Sequence, residues 1–219
     1  MAVDGMPGVA LHHPARTGHR TTAVLLVAGG LLLAVGGQLH PRGSGNTVEA
    51  HLLSMLASSQ WALAHLISLA GLVVVTVAFA GAWRSGAFGP SARPWVLLAA
   101  LGWGFGAFEQ VPHLLAAGEA HALAHHEPTP VLDLHVMLQI VATPAVGLSG
   151  AAVAVAVARS AGSRAAWVLA AVALLGGLLY AASAPLVALT EDTAAALLFP
   201  FQAALAIWLV GTGVRLWRT

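Results

Sequence analysis

Histidine is the residue type whose number and position in this chain point most directly to chemistry. The chain has eleven histidines, and eight of them fall in its middle part, at His40, His51, His65, His113, His121, His125, His126 and His135. Imidazole nitrogens bind zinc, copper and non-haem iron, and two facing imidazoles hold a haem b by axial ligation. The histidines therefore predict a metal-ion site, a haem site or a path for protons.

The residue types that the chain lacks narrow this chemistry. It has no cysteine and no lysine, which excludes thiolate metal sites, iron–sulfur clusters and Schiff bases with retinal or pyridoxal phosphate. Its net charge of +1 is too small to indicate a nucleic-acid partner. A metal site in this chain would consist of imidazole and carboxylate ligands.

The composition predicts an all-α integral membrane protein. The chain is 58% hydrophobic and 8% charged, whereas soluble domains have about 25% charged residues. Apolar runs of membrane-spanning length predict six transmembrane helices, at about 22–40, 51–82, 94–117, 131–158, 164–188 and 194–216. We expect residues 1–20 to form a disordered cytoplasmic tail and residues 21–219 to form the transmembrane domain of a multi-pass protein of the cell membrane. Cleavage of the first run as a signal peptide is the alternative.

The arginines predict the orientation of these helices. They fall mainly on alternate connections, whereas the other connections carry most of the acidic residues. By the positive-inside rule, both termini are cytoplasmic. The second and fourth apolar runs exceed the thickness of a bilayer on the outer side. With the loop 118–130, these extensions are expected to form a small, histidine-rich outer cap.

Polar residues on three predicted helices fall at a similar depth, near the outer face. Glu109 and His113 are four residues apart and share one helix face, as do His51 and His65 if the second run is one continuous helix. Because an unpaired ionisable group in lipid costs several kcal/mol, such side chains turn inward and pair. We predict a cofactor site of His65, His113, His135 and Glu109, and a metal site that adds His51. The alternative is that these groups only hydrogen-bond one another and brace the helices.

Two histidine spacings resemble known patterns. The fourteen-residue separation of His51 and His65 resembles the two-haem helices of cytochrome b proteins, but no second run has a matching pair. His121, His125 and His126 have the spacing of the histidine boxes of membrane di-iron desaturases and hydroxylases, which carry several boxes where this chain has one. We expect this stretch to be a solvated loop or a short interfacial helix, with weak metal capture as the alternative.

These observations lead to one preferred function and two alternatives. The preferred function is a membrane redox or cofactor-binding protein that holds a haem b or a transition-metal ion near the outer face. A metal-ion or proton transporter would use the same residues, although the apolar inner halves of the helices argue against a through-path. A packing subunit of a larger membrane complex is the third possibility. The expected partners are the lipid bilayer, a homo-oligomer or larger complex, and a quinone or other electron-transfer partner.

Overall fold

The computed structural model describes residues 14–218, with side chains from residue 18 onward. This part of the chain is all helical, without a β-strand. Its α-helices are α1 (Pro14–Leu39), α2 (Val48–Leu56), α3 (Trp61–Ser85), α4 (Arg93–Leu115), α5 (Ala120–Ala124), α6 (Pro130–Ala161), α7 (Arg164–Thr190) and α8 (Gln202–Trp217). Three 3₁₀ segments, Pro90–Ala92, Ala116–Glu119 and Thr193–Phe201, precede α4, α5 and α8. The first helix begins at Pro14, within the segment predicted to be a disordered tail, and residues 1–13 lie outside the described part.

Six long helices form a closed ring. Each packs against the next in the order α1, α3, α4, α6, α7 and α8, and α8 packs back against α1. The interior of the ring is filled by apolar side chains, among them the fully buried Phe79, Trp103 and Trp208. Successive helices of the ring run in opposite directions, so the end of one helix and the start of the next lie on the same side of the ring.

Glycines allow a close approach between α6 and α7 in this ring. A methyl group added to Gly177 would lie 2.5 Å from the carbonyl oxygen of Gly147. Helices in membranes associate through such small residues because lipid supplies no hydrophobic force between them. The contact leaves no open space along this part of the α6–α7 interface.

Within the described residues, five helical segments are long and apolar enough to cross a membrane: 18–39, 61–85, 130–161, 164–190 and 193–217. Their outward faces carry large exposed apolar side chains, such as Val168 and Leu178, which is consistent with contact with lipid. The prediction of a helical membrane protein thus holds for its helical class and apolar character. The expected third span corresponds to α4, which is not among the five, since its last two turns carry Glu109, Gln110 and His113.

The prediction of one continuous helix over 51–82 is wrong, because the structure divides this run into two helices. Helix α2 ends at Leu56, and α3 begins at Trp61 after a turn. The Ser58 hydroxyl accepts a hydrogen bond from the backbone N–H of Gln60 in this turn. Serine side chains compete with helical backbone bonds in this way. His51 and His65 therefore do not share one helix face, and the resemblance to a two-haem helix fails.

The short helices α2 and α5 lie at one end of the ring and contact each other. Trp61, Leu56, Ala116 and Leu132 form a small apolar core beneath them. The carboxylate of Glu119 accepts hydrogen bonds from the first free N–H groups of α6, at 3.1 and 2.8 Å. Because these groups have no partner within the helix, the carboxylate caps α6 and ties the connection to it.

Candidate metal centre

Four consecutive helices of the ring bring their polar residues to the same end. His40 directly follows α1, His65 lies one turn into α3, Glu109 and His113 occupy the last two turns of α4, and His135 lies near the start of α6. The helix directions alternate, so these positions meet at one level. We call the four histidines and Glu109 the histidine cluster.

The closest contact in the cluster joins α3 and α4. The Nε2 atoms of His65 and His113 are 3.0 Å apart, whereas the ring centroids are 4.3 Å apart. The two imidazoles therefore converge at their Nε2 ends. Two nitrogens bound to one tetrahedral zinc ion, each at about 2.05 Å, are separated by about 3.3 Å. Only a small movement would let both nitrogens bind one ion.

His40 brings a third imidazole to this pair. Its ring centroid lies 4.8 Å from that of His65 and 6.2 Å from that of His113. One nitrogen from each of the three rings falls within 4.8 Å of the others. His40 was not among the predicted ligands, although its place at the end of the first apolar run, level with His65, could have indicated it.

The hydrogen bonds assign the protons of these imidazoles. His65 Nδ1 lies 2.6 Å from the carbonyl oxygen of Trp61 and His40 Nδ1 lies 2.9 Å from that of Pro41. A carbonyl oxygen only accepts, so both Nδ1 atoms donate, and in the neutral rings both Nε2 atoms carry a lone pair. His113 must then donate its own Nε2–H to His65 when no ion is bound.

The Nδ1 atom of His113 faces a carboxylate. It lies 3.5 Å from Glu109 Oε1, and the same oxygen is 2.6 Å from Nδ1 of His135, which donates to it. If the proton of His113 moved from Nε2 to Nδ1, its Nε2 lone pair would become free and Nδ1 would donate towards Glu109. Metal-binding histidines almost always have such an oxygen acceptor for the second ring nitrogen.

The cluster is shielded from solvent. Glu109 is 6% exposed, His65 1% and His135 2%. The buried ring of Trp61 covers His65 at a centroid distance of 4.0 Å, and its Nε1–H donates to a backbone carbonyl of α4 at 3.2 Å. Burial lowers the pKa of His40 below its usual 6.5, the bond to the Pro41 carbonyl opposes this shift, and the nearby His135 adds to it. His40 is therefore favoured in the neutral form that binds metal.

In the part of the chain that the structure describes, two overlapping sets of donors meet the distance requirement for a metal ion, and His113 belongs to both. The first is His40, His65 and His113, and the second is Glu109, His113 and His135. In the second set the rings of His113 and His135 are stacked, with centroids 3.8 Å apart and planes at 27°. The nitrogen lone pairs of stacked rings lie in two nearly parallel planes, which keeps them from meeting at one point. The first set, whose nitrogens converge, has the better geometry for one ion.

The structure thus brings together His65, His113, His135 and Glu109 from the predicted site residues and adds His40 and Trp61. The ring of the fifth predicted residue, His51, lies against Gly43, and His51 belongs to neither donor set. Trp61 gave no sequence signal of a role beside the site, since a tryptophan at the end of an apolar run is usually read as part of an interfacial belt.

The remaining histidines of the cap lie apart from the cluster. His121 is on the short helix α5, and His125 and His126 follow that helix, so the stretch contains a short helix, one of the two forms expected for it. The ring centroids of His121 and His125 are 4.1 Å apart, and Nδ1 of the exposed His126 lies 3.2 Å from a carboxylate oxygen of Glu49. None of these three histidines belongs to either donor set.

Comparisons with known proteins add no assignment to this geometry. No protein-family profile, curated protein or solved structure matches the chain. The histidine cluster is therefore the feature of the molecule that carries the functional argument.

Proposed function

We propose that this chain is a membrane protein that holds one transition-metal ion between the imidazoles of His40, His65 and His113. The observation that carries the proposal is the pair of contacts that the His65 and His113 rings each make, one through Nε2 and one through Nδ1. The Nε2 side of His65 and His113 converges at 3.0 Å, while each Nδ1 faces an oxygen atom at 2.6 and 3.5 Å, respectively. This is the arrangement in which proteins orient metal-binding histidines. Glu109 and His135 are then positioning residues that act through His113.

The ion is best matched by zinc, copper or iron. Imidazole suits all three metals, and the chain has no thiolate to favour another choice. A haem is less well matched, because its macrocycle must lie between two opposed imidazoles, and here the rings of His40, His65 and His113 are packed within 4.3–6.2 Å of one another. With copper or iron bound, the chain would serve as a redox subunit of the membrane.

The membrane arrangement that fits this function has six spans, because α4 crosses the membrane in addition to the five apolar segments named above. At about 1.5 Å per residue, the 23 residues of α4 extend about 35 Å, enough to cross a bilayer. Arginines occur at the opposite helix ends, for example Arg84 and Arg159 near the ends of α3 and α6. The positive-inside rule then places both termini in the cytoplasm and the histidine cluster near the outer face, beneath the cap.

The packing below the cluster favours a fixed site over a transport path. Leu72 and Val75 on α3 and Val146 on α6 are buried in the interior of the ring, and a methyl group on Gly106 of α4 would come within 2.6 Å of Val146. An ion leaving the cluster toward the other face would meet these buried apolar side chains, which offer it no ligand. We therefore place the ion in a one-sided site.

The test is the metal content of the purified protein. The detergent-purified chain is loaded separately with zinc and copper(II), dialysed and analysed for metal, and a spectrum of the oxidised and reduced protein is recorded before loading. We expect about one ion per chain, a visible spectrum without a Soret band, and loss of the ion in His65→Ala and in His113→Ala. The matched control is His121→Ala, which removes an exposed imidazole of the cap and should leave the stoichiometry unchanged.

Two results would overturn the proposal. One is a wild-type protein that binds neither metal, with helical content and thermal unfolding showing that it is folded. The other is metal binding that His121→Ala lowers as much as His65→Ala does, which would place the ion in the cap. A Soret band that disappears in His65→Ala would replace the ion by a haem.

A further inference from the structure

A second binding feature lies at the arginine-rich end of the ring, away from the histidine cluster. A groove of about 410 Å³ runs between α6 and α7 and reaches the start of α4. Its walls are apolar, formed by side chains such as Leu148, Val155 and Leu174. Its polar end carries Arg159 and Ser91. The volume lies in the range of small-molecule sites, about 300–1,000 Å³.

The groove opens sideways, toward the surroundings of the ring. Leu148, Leu174 and Leu178 are each between 42% and 49% exposed, and Trp95, at the polar end, is 43% exposed. Such side chains contact lipid in a membrane-spanning protein, and tryptophan is typical of the interface with the headgroups. A molecule could therefore enter from the bilayer without passing through water.

The dimensions match one leaflet. From Leu148 to Arg159 on α6 there are eleven residues, which corresponds to about 16 Å along the helix. Half of the hydrocarbon thickness of a bilayer is about 15 Å. A groove of this length with a cation at one end fits an acyl chain that runs from the headgroup level to the middle of the membrane.

The charge at the polar end is uncompensated. Arg159 is exposed, and no carboxylate forms an ion pair with it within residues 18–218. The acidic residues of this part of the chain lie in the histidine cluster, the cap or the connection between α7 and α8, all toward the opposite end. Arg84 and Arg93 add positive charge at the same end of the ring. Basic pockets between membrane helices bind anionic lipid headgroups.

We propose that this groove binds one anionic phospholipid, with an acyl chain along α6 and α7 and the headgroup phosphate on Arg159. The hydroxyls of Ser91 and Ser160, hydrogen-bonded to each other at 2.9 Å at the polar end, are available to the same headgroup. The site is independent of the proposed metal ion, because no residue of the histidine cluster lines it.

Lipid retention in native mass spectrometry tests this site. The detergent-purified protein is exposed to equal amounts of dioleoyl phosphatidylglycerol and dioleoyl phosphatidylcholine, which differ in headgroup and not in chains. We expect about fivefold preferential retention of phosphatidylglycerol, the factor for one interfacial cation. Arg159→Gln should abolish the preference, and Arg159→Lys should keep most of it. Arg164→Gln is the matched control, since Arg164 is at the same end but does not line the groove.

A second variant tests the apolar part. Leu148→Trp fills the groove and should lower the retention of both lipids, whereas Leu101→Trp, on an exposed face outside the groove, should not. Equal retention of the two lipids by the wild type, or a preference that survives in Arg159→Gln, would overturn the proposal. Displacement of phosphatidylglycerol by free glycerol phosphate would also overturn it, since the groove would then be a site for phosphate and not for lipid.

Discussion

Replacing His40 and His135 one at a time distinguishes the two donor sets that share His113. His40 belongs only to the set that converges on one point, and His135 belongs only to the set with stacked rings. If the proposed site is right, His40→Ala removes a ligand, whereas His135→Ala removes no ligand but the hydrogen-bond partner of Glu109 and the ring stacked on His113. The two variants should therefore differ strongly in metal affinity.

The size of this difference follows from what each ring touches. His135 contacts Glu109 through one hydrogen bond of 2.6 Å, and loss of such an outer partner lowers metal affinity by about 10- to 100-fold, or about 1.4–2.7 kcal/mol. The His135→Ala variant should still bind one ion per chain. Removing His40 leaves two imidazoles and opens one side of the site to water, so we expect a loss of more than about 100-fold.

Competition of the protein with a chromophoric chelator for zinc measures these affinities, with His121→Ala as the control for removal of an imidazole outside the cluster. Thermal unfolding of each metal-free variant shows whether it is folded. The reverse order would refute the reasoning: His40→Ala within about tenfold of the wild type, and His135→Ala without binding. The ion would then lie between Glu109, His113 and His135.

Three further predictions concern folding. The metal-free protein should lose thermal stability as the pH falls from about 8 to about 5. Burial lowers the pKa of His40, so the unfolded chain takes up the proton first as the pH falls. A constant melting temperature over this range would contradict this prediction. Gly177→Ala places a methyl group 2.5 Å from the α6 backbone and should lower the free energy of unfolding by about 1–3 kcal/mol. Gly37→Ala, which has open space around the added methyl group, should not lower it. Chemical denaturation measures both variants. Trp61→Phe removes one hydrogen bond to α4 and should cost about 1 kcal/mol in the same assay, yet keep the metal within tenfold.

Much of the helical arrangement could be predicted from the apolar pattern. The spans expected at 94–117, 131–158 and 164–188 correspond closely to α4, α6 and α7, because long apolar runs leave the backbone no alternative to internal hydrogen bonds. The boundary between α2 and α3 was missed. The residues before it, such as Leu56, continue the apolar run, and the Ser58 hydroxyl accepts the backbone N–H of Gln60 in the turn that separates the two helices.

The histidine cluster could be predicted in part. Depth along the helices was enough to place His65, His113 and His135 at one level with Glu109, and the structure brings these four together. His51 was added because a continuous helix would have turned it toward His65. Once the chain turns after α2, His51 is carried into the cap and its ring lies against Gly43.

The sequence alone determined that this chain is helical and apolar, that its candidate metal-binding groups are imidazoles and carboxylates, and that these groups lie near one end of the helices. These properties depend on composition and on distance along the chain. Tertiary structure decided which nitrogens face each other: His40 enters the cluster, and His113 turns Nε2 to His65 and Nδ1 to Glu109. The reason is physical, because ring orientation depends on helix rotation and on hydrogen-bond partners from other helices, and neither is encoded in the spacing of residues along one helix.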